Sequence, residues 1–397
     1  MRILLINQFF WPDPAPTGLL LADLAEELIR RGHRVDVVCS KSGYEVRGGD
    51  GPARTGPASK EQARTGLAVT LHPTPTLPFS RSRLGRLLSW TSFLLLAAWK
   101  CLTLPRYDLA LAMTTPPALA LAGLLQKWRG ARFWIWEMDL YPDVATAVGS
   151  LNPQSAVARF ILALMDWPRR RADGIITLGE CMSQRLQHRV APGRLHVAEN
   201  WADGSRIQAS AIPSPSRTVR VLYSGNMGMA HEIETIGQTI SGLSNFPAIE
   251  FIIAGGGKRK AQLEEKLTCG NLPNVRFEGF LSEQEFTARL ASAHIGLVTL
   301  HPDCSGVVVP SKIYALLAAG RPVLFIGPAN ATPARLIRES GCGWHVANGD
   351  AEAAMRILKH LAEAPGEIVE AGTRALELFR RRYEKRVGVA RLVDLLE

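Results

Sequence analysis

The sequence predicts an α/β protein with two doubly wound parallel-sheet domains. Three observations predict this class: a length of 397 residues, an alternation of strand and helix patterns, and a break in that alternation near the middle. A single hydrophobic core rarely grows beyond about 250–300 residues, so two domains are expected. We place the first domain at 1–205 and the second at 206–375, with 376–397 as a C-terminal helix that packs back on the first domain.

The first domain opens with "RILLIN" (2–7), a continuous apolar run of strand length. After a Pro-rich loop, "LLLADLAEELIRRG" (19–32) has apolar residues at helical spacing, and "HRVDVVCS" (33–40) has the pattern of a strand. Strand, helix and strand in this order imply a right-handed crossover, so the sheet should be parallel. The same alternation predicts strands at 67–72, 108–113, 131–136 and 174–178, and helices at 84–103, 117–129 and 154–171.

The second domain repeats the pattern after "ASAIPSPSR" (209–217), which has the composition of a linker. It begins with the strand "VRVLYSGN" (219–226), and helices separate the strands that follow. These strands are predicted near 249–254, 274–277, 294–299, 322–326 and 343–346. Because such sheets bind ligands outside the carboxyl ends of their strands, we expect the two domains to face a central cleft.

The charge of the chain is concentrated in its first half. The net charge is +10, and residues 1–200 hold 24 Lys and Arg against 16 Asp and Glu. This excess predicts an anionic partner, such as a phosphorylated substrate or an acidic membrane surface. Nucleic acid is excluded as the expected partner, because no recognition motif or stacking aromatic pattern accompanies the charge.

Residues 81–104 form a basic, apolar segment, with arginines at its start and with Trp90 and Trp99 among its leucines. Its uncharged run is shorter than the roughly 20 residues that a membrane span needs. Two interpretations stay open: an interfacial helix in contact with an anionic membrane, or a buried crossover helix of the first domain. The opening "MRILLINQFF" lacks the apolar core of a signal peptide, so we expect a cytoplasmic protein, peripheral on the inner face of the cell membrane.

Two stretches of the first domain carry candidate site residues. In "FWIWEMDLYPD" (133–143), Glu137 and Asp139 follow an apolar strand, where they can bind or deprotonate a hydroxyl group. Asp139 could instead hold the turn before Pro142. In "PAPTG" (14–18), Gly18 permits close backbone approach to a ligand at a helix start, or it belongs to a plain strand-to-helix turn.

Two stretches of the second domain are candidates for an anion site. In "YSGNMGMAHEIETI" (223–236), Gly225 and Gly228 allow a tight turn before a helix whose positive end can bind a diphosphate. In "VPSKIYALLAAG" (309–320), Pro310 and Ser311 precede another helix start, and Lys312 adds a full positive charge. A structural glycine turn would explain the first of these loops equally well.

Nine motifs in the same order resemble the family 4 glycosyltransferases of the GT-B fold, which has two Rossmann-like domains. The likeness is to bacterial enzymes of colanic-acid and O-antigen assembly, of the fucosyl- and fucosaminyl-transferase type. The motifs are "FFWPDPAPTG", "GHRVDVVCS", "WEMDLYPDVATAVG", "VAENWAD", "YSGNMGMAHEIETI", "FIIAGGG", "VRFEGFL", "VPSKIYALLAAGRPVL" and "ESGCGWHVANGD". The resemblance implies a nucleoside-diphosphate-sugar donor, retention of anomeric configuration, and a reaction that needs neither a metal nor a cofactor.

The resemblance also implies roles for individual donor-binding residues. Asn226 and His231 stand where many relatives carry an arginine and a lysine for the diphosphate. Phe280 and Leu281 stand where relatives hold the nucleotide base against backbone groups. With the glycines and the "PSK" residues, these positions make up the predicted donor site, and Lys312 is also expected to act on the leaving group.

Three positions depart from the family pattern. Val307 and Ala315 occupy the places of two glutamates that contact the sugar and the ribose, and Met138 replaces a histidine that contacts the sugar. A ribose without its acceptor would lose about 1–3 kcal/mol of binding free energy.

The predicted function is a retaining glycosyltransferase that acts on a polyprenyl-diphosphate-linked or growing glycan in cell-surface polysaccharide biosynthesis. One alternative is a non-catalytic binding or assembly subunit with the same fold, and another is a nucleotide-sugar epimerase.

Overall fold

The computed structural model describes residues 1–41, 69–78, 82–213, 218–268 and 272–397. The chain divides into two compact units. The first contains Met1–Glu199 and Val389–Glu397, and the second contains Asn200–Gly388. The first boundary thus falls at Glu199, whereas the sequence placed it at residue 205.

The first unit is built on a parallel sheet of seven strands in the order β3-β2-β1-β4-β5-β6-β7. The strands are β1 Arg2–Ile6, β2 Arg34–Ser40, β3 Thr70–Thr74, β4 Leu109–Met113, β5 Arg132–Trp136, β6 Gly174–Thr177 and β7 Leu195–Val197. The central strands are apolar without alternation, and β4 is buried along its whole length. This pattern is typical of a parallel sheet that is covered on both faces.

The helices of this unit are α1 Pro16–Arg30, α2 Arg83–Thr103, α3 Ala120–Trp128, α4 Asp143–Ala147, α5 Ala156–Arg169 and α6 Glu180–Leu186. Helix α1 begins earlier than predicted, because a proline fits the first turn of a helix, where no amide donor is needed. Helix α3 begins later than residue 117, since Ala118 has a left-handed backbone (φ +71°) that a helix cannot continue through.

The last nine residues of the chain belong to the first unit, although the sequence assigned the whole segment 376–397 to it. Arg31 donates hydrogen bonds to the carboxylates of Asp394 (2.6 Å) and Glu397 (2.9 Å). Arg132 donates to the carbonyl oxygen of Leu396 at 2.7 Å. These contacts hold the chain end against the first unit.

The second unit contains a parallel sheet of six strands in the order β10-β9-β8-β11-β12-β13. The strands are β8 Val219–Asn226, β9 Ile249–Gly256, β10 Val275–Glu278, β11 Ile295–Thr299, β12 Val323–Ile326 and β13 Gly343–Val346. A cluster of fully buried aliphatic and aromatic side chains from β8, β9 and β11 forms its core. The two observed sheets confirm the predicted α/β class.

The helices that surround this second sheet are α7 Glu234–Gly242, α8 Lys258–Thr268, α9 Glu283–Ser292, α10 Lys312–Ala318, α11 Thr332–Ser340, α12 Ala351–Glu363 and α13 Pro365–Leu378. A π-helical turn, Phe379–Tyr383, precedes α14 Lys385–Leu396, which begins in the second unit and ends in the first. The rings of Tyr314 in α10 and Tyr383 in the π-helical turn lie 4.9 Å apart. This packing explains why most of the segment after residue 375 belongs to the second unit.

The described part of the predicted linker (209–213) is bound to the second unit. Arg321 is completely buried and donates hydrogen bonds to the carbonyl oxygens of Ser210 (2.7 Å) and Ala211 (3.3 Å). No carboxylate among the described residues pairs with this guanidinium, and burial lowers its pKa to about 10. The segment is therefore part of the folded unit as far as Pro213; residues 214–217 lie outside the described residues.

Each sheet has a point at which the strand order reverses. In the first sheet this point lies between β1 and β4, and in the second it lies between β8 and β11. Loops at the carboxyl ends of strands beside such a reversal form the usual ligand site of a doubly wound sheet. The loops that follow β1, β4, β8 and β11 are therefore the candidate ligand-binding loops.

No helix within the described ranges is long and apolar enough to cross a membrane. The same ranges contain no group of three His, Cys, Asp or Glu side chains that could hold a metal ion. That the reaction needs no metal stays a prediction.

Candidate functional site

Glycine turns form the carboxyl ends of β8 and β9. Gly225 and Gly255 both have positive φ angles, +126° and +112°. A Cβ atom on Gly255 would lie 2.1 Å from the carbonyl oxygen of Gly225, and one on Gly225 would lie 2.7 Å from Cε of Lys312. Glycine is therefore required here because the two turns and the lysine side chain pack directly on one another.

Lys312 is the first residue of α10, and its side chain reaches back to the loop after β8. Its Nζ lies 3.2 Å from the carbonyl oxygen of Asn226 and 3.1 Å from Nε2 of His231. The ammonium group also stands 5.4 Å from the centre of the Tyr223 ring. No carboxylate among the described residues lies within ion-pair distance, so the partners of this cation are all neutral.

The pKa values of this pair follow from burial. Burial lowers the pKa of Lys312 to about 8. Burial, together with the charge of Lys312, lowers the pKa of His231 to about 3. At neutral pH His231 is therefore uncharged and accepts a hydrogen bond from the lysine through Nε2, while the lysine is mostly protonated.

The resemblance placed an arginine and a lysine of the relatives at Asn226 and His231. In this chain Lys312 brings one positive charge to the same two residues from a different element. Neither Asn226 nor His231 carries a charge itself, and Gly228 beside them leaves open space where a side chain could stand. The Lys312 side chain of α10 thus supplies a cation to the loop after β8.

The start of α10 offers fewer free amides than the sequence predicted. Ser311 is the capping residue, but its side chain caps no amide. The amides of Ile313 and Tyr314 already donate to the carbonyl oxygens of Pro310 (3.4 Å) and Ser311 (3.2 Å). The positive character of this end therefore comes mainly from the Lys312 side chain.

Phe280 lies in the loop between β10 and α9, with half of its side chain exposed. Its ring covers the glycine turn at the end of β9, because a Cβ atom on Gly256 would lie 2.6 Å from the ring. Leu281 follows it and is partly buried. Phe280 thus presents an exposed aromatic surface at the carboxyl end of β9.

The two positions that lack the family glutamates have different surroundings. Val307 is completely buried, so its side chain belongs to the core. Ala315 is partly buried on the first turn of α10, three residues after Lys312. Neither position places a polar side chain near the lysine.

In the first unit, Glu137 lies at the end of β5 with only 1% of its surface exposed. Arg169 donates to both of its oxygens, at 2.7 Å and 3.3 Å, and also to Asp166 at 3.0 Å. Arg189 then joins Asp166 to Asp143. Because both carboxylate oxygens are occupied by a buried guanidinium, Glu137 holds the end of β5 and α5 together and is poorly placed to bind an acceptor.

Asp139 contrasts with Glu137, although only one residue separates them. It lines a small cavity with Thr114, Ala118 and Tyr141, and no described residue pairs with its carboxylate. Asp139 is exposed to solvent, but the protein atoms beside it reduce its hydration. This desolvation, together with the nearby charge of Glu137, raises the pKa of Asp139 to about 6.

The loop after β4 forms the other wall of this cavity. Ala118 in that loop has a positive φ, a conformation that costs a non-glycine residue about 1–3 kcal/mol. The hydroxyl of Thr114 accepts a hydrogen bond from the amide of Met138 at 3.0 Å, and the Met138 side chain is buried. The position of the family histidine therefore faces the core here, whereas Asp139 lines the cavity together with the ion-paired Glu137 and Arg169.

Gly18 packs closely against the backbone of the loop after β1. It belongs to the first turn of α1, and a Cβ atom there would lie 3.1–3.3 Å from the backbone of Phe9 and Phe10. The close backbone approach that the sequence predicted is therefore made by the chain itself.

The sequence analysis missed Arg169, Asp166 and Arg189. The only signal was the cluster "DWPRRR" (166–171) at the end of a predicted helix. Such a cluster is commonly a solvated surface, so its pairing with Glu137 became visible only in the structure.

Two family models match the chain in succession. The glycosyl transferase 4-like domain matches residues 18–201, and the glycosyl transferases group 1 domain matches residues 218–364. The two Rossmann-like units and these two matches together show a glycosyltransferase of the GT-B fold. The chain belongs to the family of glycosyltransferases in which a 4-like domain precedes a group 1 domain, as the resemblance implied.

Curated relatives agree with this assignment. A probable glycosyltransferase of Pseudomonas aeruginosa, WbjE, is 28% identical over 268 residues, which cover 65% of this chain and 67% of the relative. A putative colanic acid biosynthesis glycosyl transferase of Escherichia coli, WcaI, is 25% identical over 337 residues, covering 81% and 82% of the two chains.

Solved structures share the fold. HepE of Anabaena, in complex with UDP and glucose, has a TM-score of 0.68 at 15% identity and covers 100% of this chain and 99% of its own. Sucrose-phosphate synthase from Thermosynechococcus elongatus has a TM-score of 0.71 at 14% identity, covering 100% and 98%.

Proposed function

We propose that this glycosyltransferase transfers a sugar, with retention of configuration, from a nucleoside diphosphate to a lipid-linked or growing glycan in cell-surface polysaccharide biosynthesis. The relatives WbjE and WcaI support the reaction class, and WcaI, which is named for colanic acid biosynthesis, supports the pathway. The structure of HepE with UDP-glucose supports a nucleotide-sugar donor. The observation that carries the proposal is the Lys312 ammonium group, which stands at a strand-order reversal with only neutral partners.

A buried ammonium group whose partners are all neutral keeps much of its desolvation cost. Removing an ammonium group from water costs several kcal/mol unless an anion pairs with it. The carbonyl oxygen of Asn226 and Nε2 of His231 offset part of this cost, since each accepts a hydrogen bond from the lysine. A diphosphate bound beside Gly225 and Gly228 would complete the site and raise the pKa of Lys312 again.

The positive charge of Lys312 also has a role in the transfer step. The bond between the anomeric carbon and the diphosphate oxygen breaks, and the acceptor oxygen forms a new bond on the same face of the sugar. The leaving diphosphate takes the acceptor proton, and Lys312 stabilises the negative charge that develops on it. No enzyme carboxylate has to form a covalent intermediate in this scheme.

Asp139 is the proposed acceptor residue of the first unit. At neutral pH most of this carboxylate is ionised, because its pKa is about 6. It can therefore accept a hydrogen bond from the attacking hydroxyl and orient it before the proton moves to the diphosphate. Glu137 supports this role indirectly, because its hydrogen bond with Arg169 holds the end of β5 in place.

The proposal is tested by thermal unfolding with a panel of nucleoside diphosphates and nucleotide sugars. Ligands that bind only the native state raise the melting temperature through mass action. We expect stabilisation by at least one nucleotide, and loss of that stabilisation in Lys312→Ala. Lys359→Ala on α12 is the matched control, since its ammonium group lies beside Phe246 instead. No shift with any ligand at millimolar concentration would overturn the proposal.

A non-catalytic binding subunit is the second candidate. The observation that favours it is the apolar side chain at Val307 and Ala315, where relatives carry glutamates. Such a protein would bind a nucleotide sugar but release no nucleoside diphosphate with any lipid-linked glycan. Measuring nucleoside-diphosphate release with membrane extracts as acceptor separates the two candidates.

A further inference from the structure

Large exposed apolar side chains are concentrated on neighbouring helices of the first unit. Helices α2 and α3 are adjacent, since Gln126 donates to the carbonyl oxygen of Cys101 at 2.7 Å. Helices α3 and α5 are adjacent, since the rings of Trp128 and Trp167 lie 5.8 Å apart. The connections β3-α2-β4, β4-α3-β5 and β5-α5-β6 run in one direction along the sheet, so right-handed crossovers place all three helices on the same side.

Helix α2 is half buried. Phe93, Ala97 and Cys101 are completely buried against the unit. The opposite face is exposed and largely apolar, with Thr91 as a polar interruption, and its apolar stripe consists of Leu84, Leu87, Leu88, Leu95, Trp99 and Leu102. The spacing of these residues keeps them on one helical face. A wholly buried crossover helix, one of the two interpretations of this segment, is therefore excluded.

Helix α5 carries a second exposed apolar stripe, which the sequence analysis did not detect. Phe160 has 68% of its surface exposed, and Val157 and Trp167 are also exposed. Trp128, the last residue of α3, lies between the two stripes and is exposed as well. We call the α2 stripe, Trp128 and the α5 stripe together the three-helix face.

Most charges on the helices of the three-helix face are positive, although Lys127 pairs with Asp173, an acid that follows α5. The sequences of α2 and α3 contain no Asp or Glu, and the single acid of α5, Asp166, is buried in its pairing with Arg169 and Arg189. The basic residues on or beside these helices are Arg86, Lys100, Lys127, Arg129, Arg159, Arg170 and Arg171. Two of them lie over tryptophan rings, Arg86 on Trp90 and Arg171 on Trp167.

We propose that the three-helix face is a docking surface for an anionic lipid bilayer, with α5 and Trp128 contributing as well as α2. Leucine and aromatic side chains would enter the headgroup boundary, and the surrounding lysines and arginines would pair with lipid phosphates. This proposal deepens the proposed function, on which it rests for the lipid-linked acceptor. The proposed membrane contact is wider than the one predicted from the sequence, which involved residues 81–104 alone.

A second copy of the chain is a poorer occupant of this face. A two-fold dimer would place the face against itself. Its basic residues would then meet one another, with no exposed carboxylate on the three helices to neutralise them. An anionic lipid surface removes this repulsion, because it supplies negative charge across the whole contact.

The test is flotation of the full-length protein with vesicles that contain phosphatidylglycerol. Val157→Ser with Phe160→Ser changes only α5 and removes well-exposed side chains, so the fold should be retained. We expect the vesicle partition coefficient to fall about tenfold or more, because two apolar side chains no longer enter the bilayer. Val369→Ser, an exposed apolar site in the second unit, is the matched control and should float like the wild type.

A second variant tests the charge separately. Arg159→Glu with Arg170→Glu should lower binding to anionic vesicles while melting normally, and phosphatidylcholine vesicles should bind the wild type much more weakly. Flotation that is unchanged by the α5 variant, or that is lost only in Leu95→Ser with Trp99→Ser, would overturn the proposal. So would a wild type that does not float, or an α5 variant whose only change is loss of a dimer in light scattering.

Thermal stabilisation by nucleotides serves as an independent readout for the same variants. Because the three-helix face lies in the first unit, we expect this stabilisation to persist in every one of them. Failure to float with normal nucleotide binding would overturn the docking surface and leave the transferase proposal standing.

Discussion

Buried charge is arranged differently in the two units. In the first unit, Glu137 and Arg169 are both buried and neutralise each other, and neighbouring ions complete the network. In the second unit, Lys312 is held only by a carbonyl oxygen and a neutral imidazole. A fully paired buried ion has no capacity left for a ligand, whereas a buried cation without an anion is still incompletely compensated. The incompletely compensated site around Lys312 is therefore the better candidate for binding a substrate.

The first unit itself contains a paired and an unpaired carboxylate within three residues of sequence. Glu137 is occupied on both oxygens, while Asp139 has no partner among the described residues and a raised pKa. Both carboxylates follow the same strand, so their position in the sheet does not distinguish them. The position of Arg169 does, because it reaches one carboxylate and not the other.

The largest expected effect is on the paired ions. Glu137→Gln should lower the free energy of unfolding by about 3 kcal/mol or more, because Arg169 keeps its charge and loses its main partner. Urea unfolding of the wild type and the variant measures this difference. Glu283→Gln is the matched control: its pair with Arg206 is largely exposed, so the change should be within about 1 kcal/mol. Equal effects of the two substitutions would contradict the expectation that the buried ion pair matters more than the exposed one.

The second effect concerns the unpaired carboxylate. Asp139→Asn should reduce the transfer rate about 10–100-fold without lowering the melting temperature, since the acceptor hydroxyl loses its hydrogen-bond acceptor. The wild-type rate should also fall with one-proton dependence as the pH drops through about 6, where Asp139 becomes protonated. That acidic limb should be absent in the variant. A variant with normal rate and an unchanged limb would remove Asp139 from the site.

The smallest effect concerns the lysine. A bound diphosphate favours the charged form of Lys312, so affinity should fall as the pH rises above its free-protein pKa of about 8. The expected loss is about tenfold over the first pH unit or so above that value. Titration calorimetry of a nucleoside diphosphate across this range measures it. Lys312→Arg keeps its charge and should give a flatter profile. A flat wild-type profile would show that the ammonium does not contact the ligand.

The pattern of strands and helices could be predicted because it depends on neighbouring residues. Apolar runs such as "RILLIN" and "VRVLYSGN", and the restart of the alternation after the linker, predicted both sheets, and the structure confirms them. The glycine turn at Gly225 and the charge at Lys312 could also be found, because their residue types are unusual at a strand end and at a helix start.

The contacts that distinguish the sites could not be predicted in this way. Glu137 meets Arg169 across 32 residues of sequence, and Lys312 meets His231 across 81. Gly18 packs on Phe9 and Phe10, although its motif looked like a ligand turn. Helix α5 joins the exposed face of α2 only through the order of the strands between them.

Patterns in the sequence were sufficient to predict the two parallel sheets, the family, and the loops that would hold a donor and an acceptor. The tertiary structure decided which charges in those loops are already neutralised and which are not. The physical reason is that periodicity and turn chemistry act between residues close along the chain, whereas the compensation of a buried ion depends on whatever group the fold places beside it.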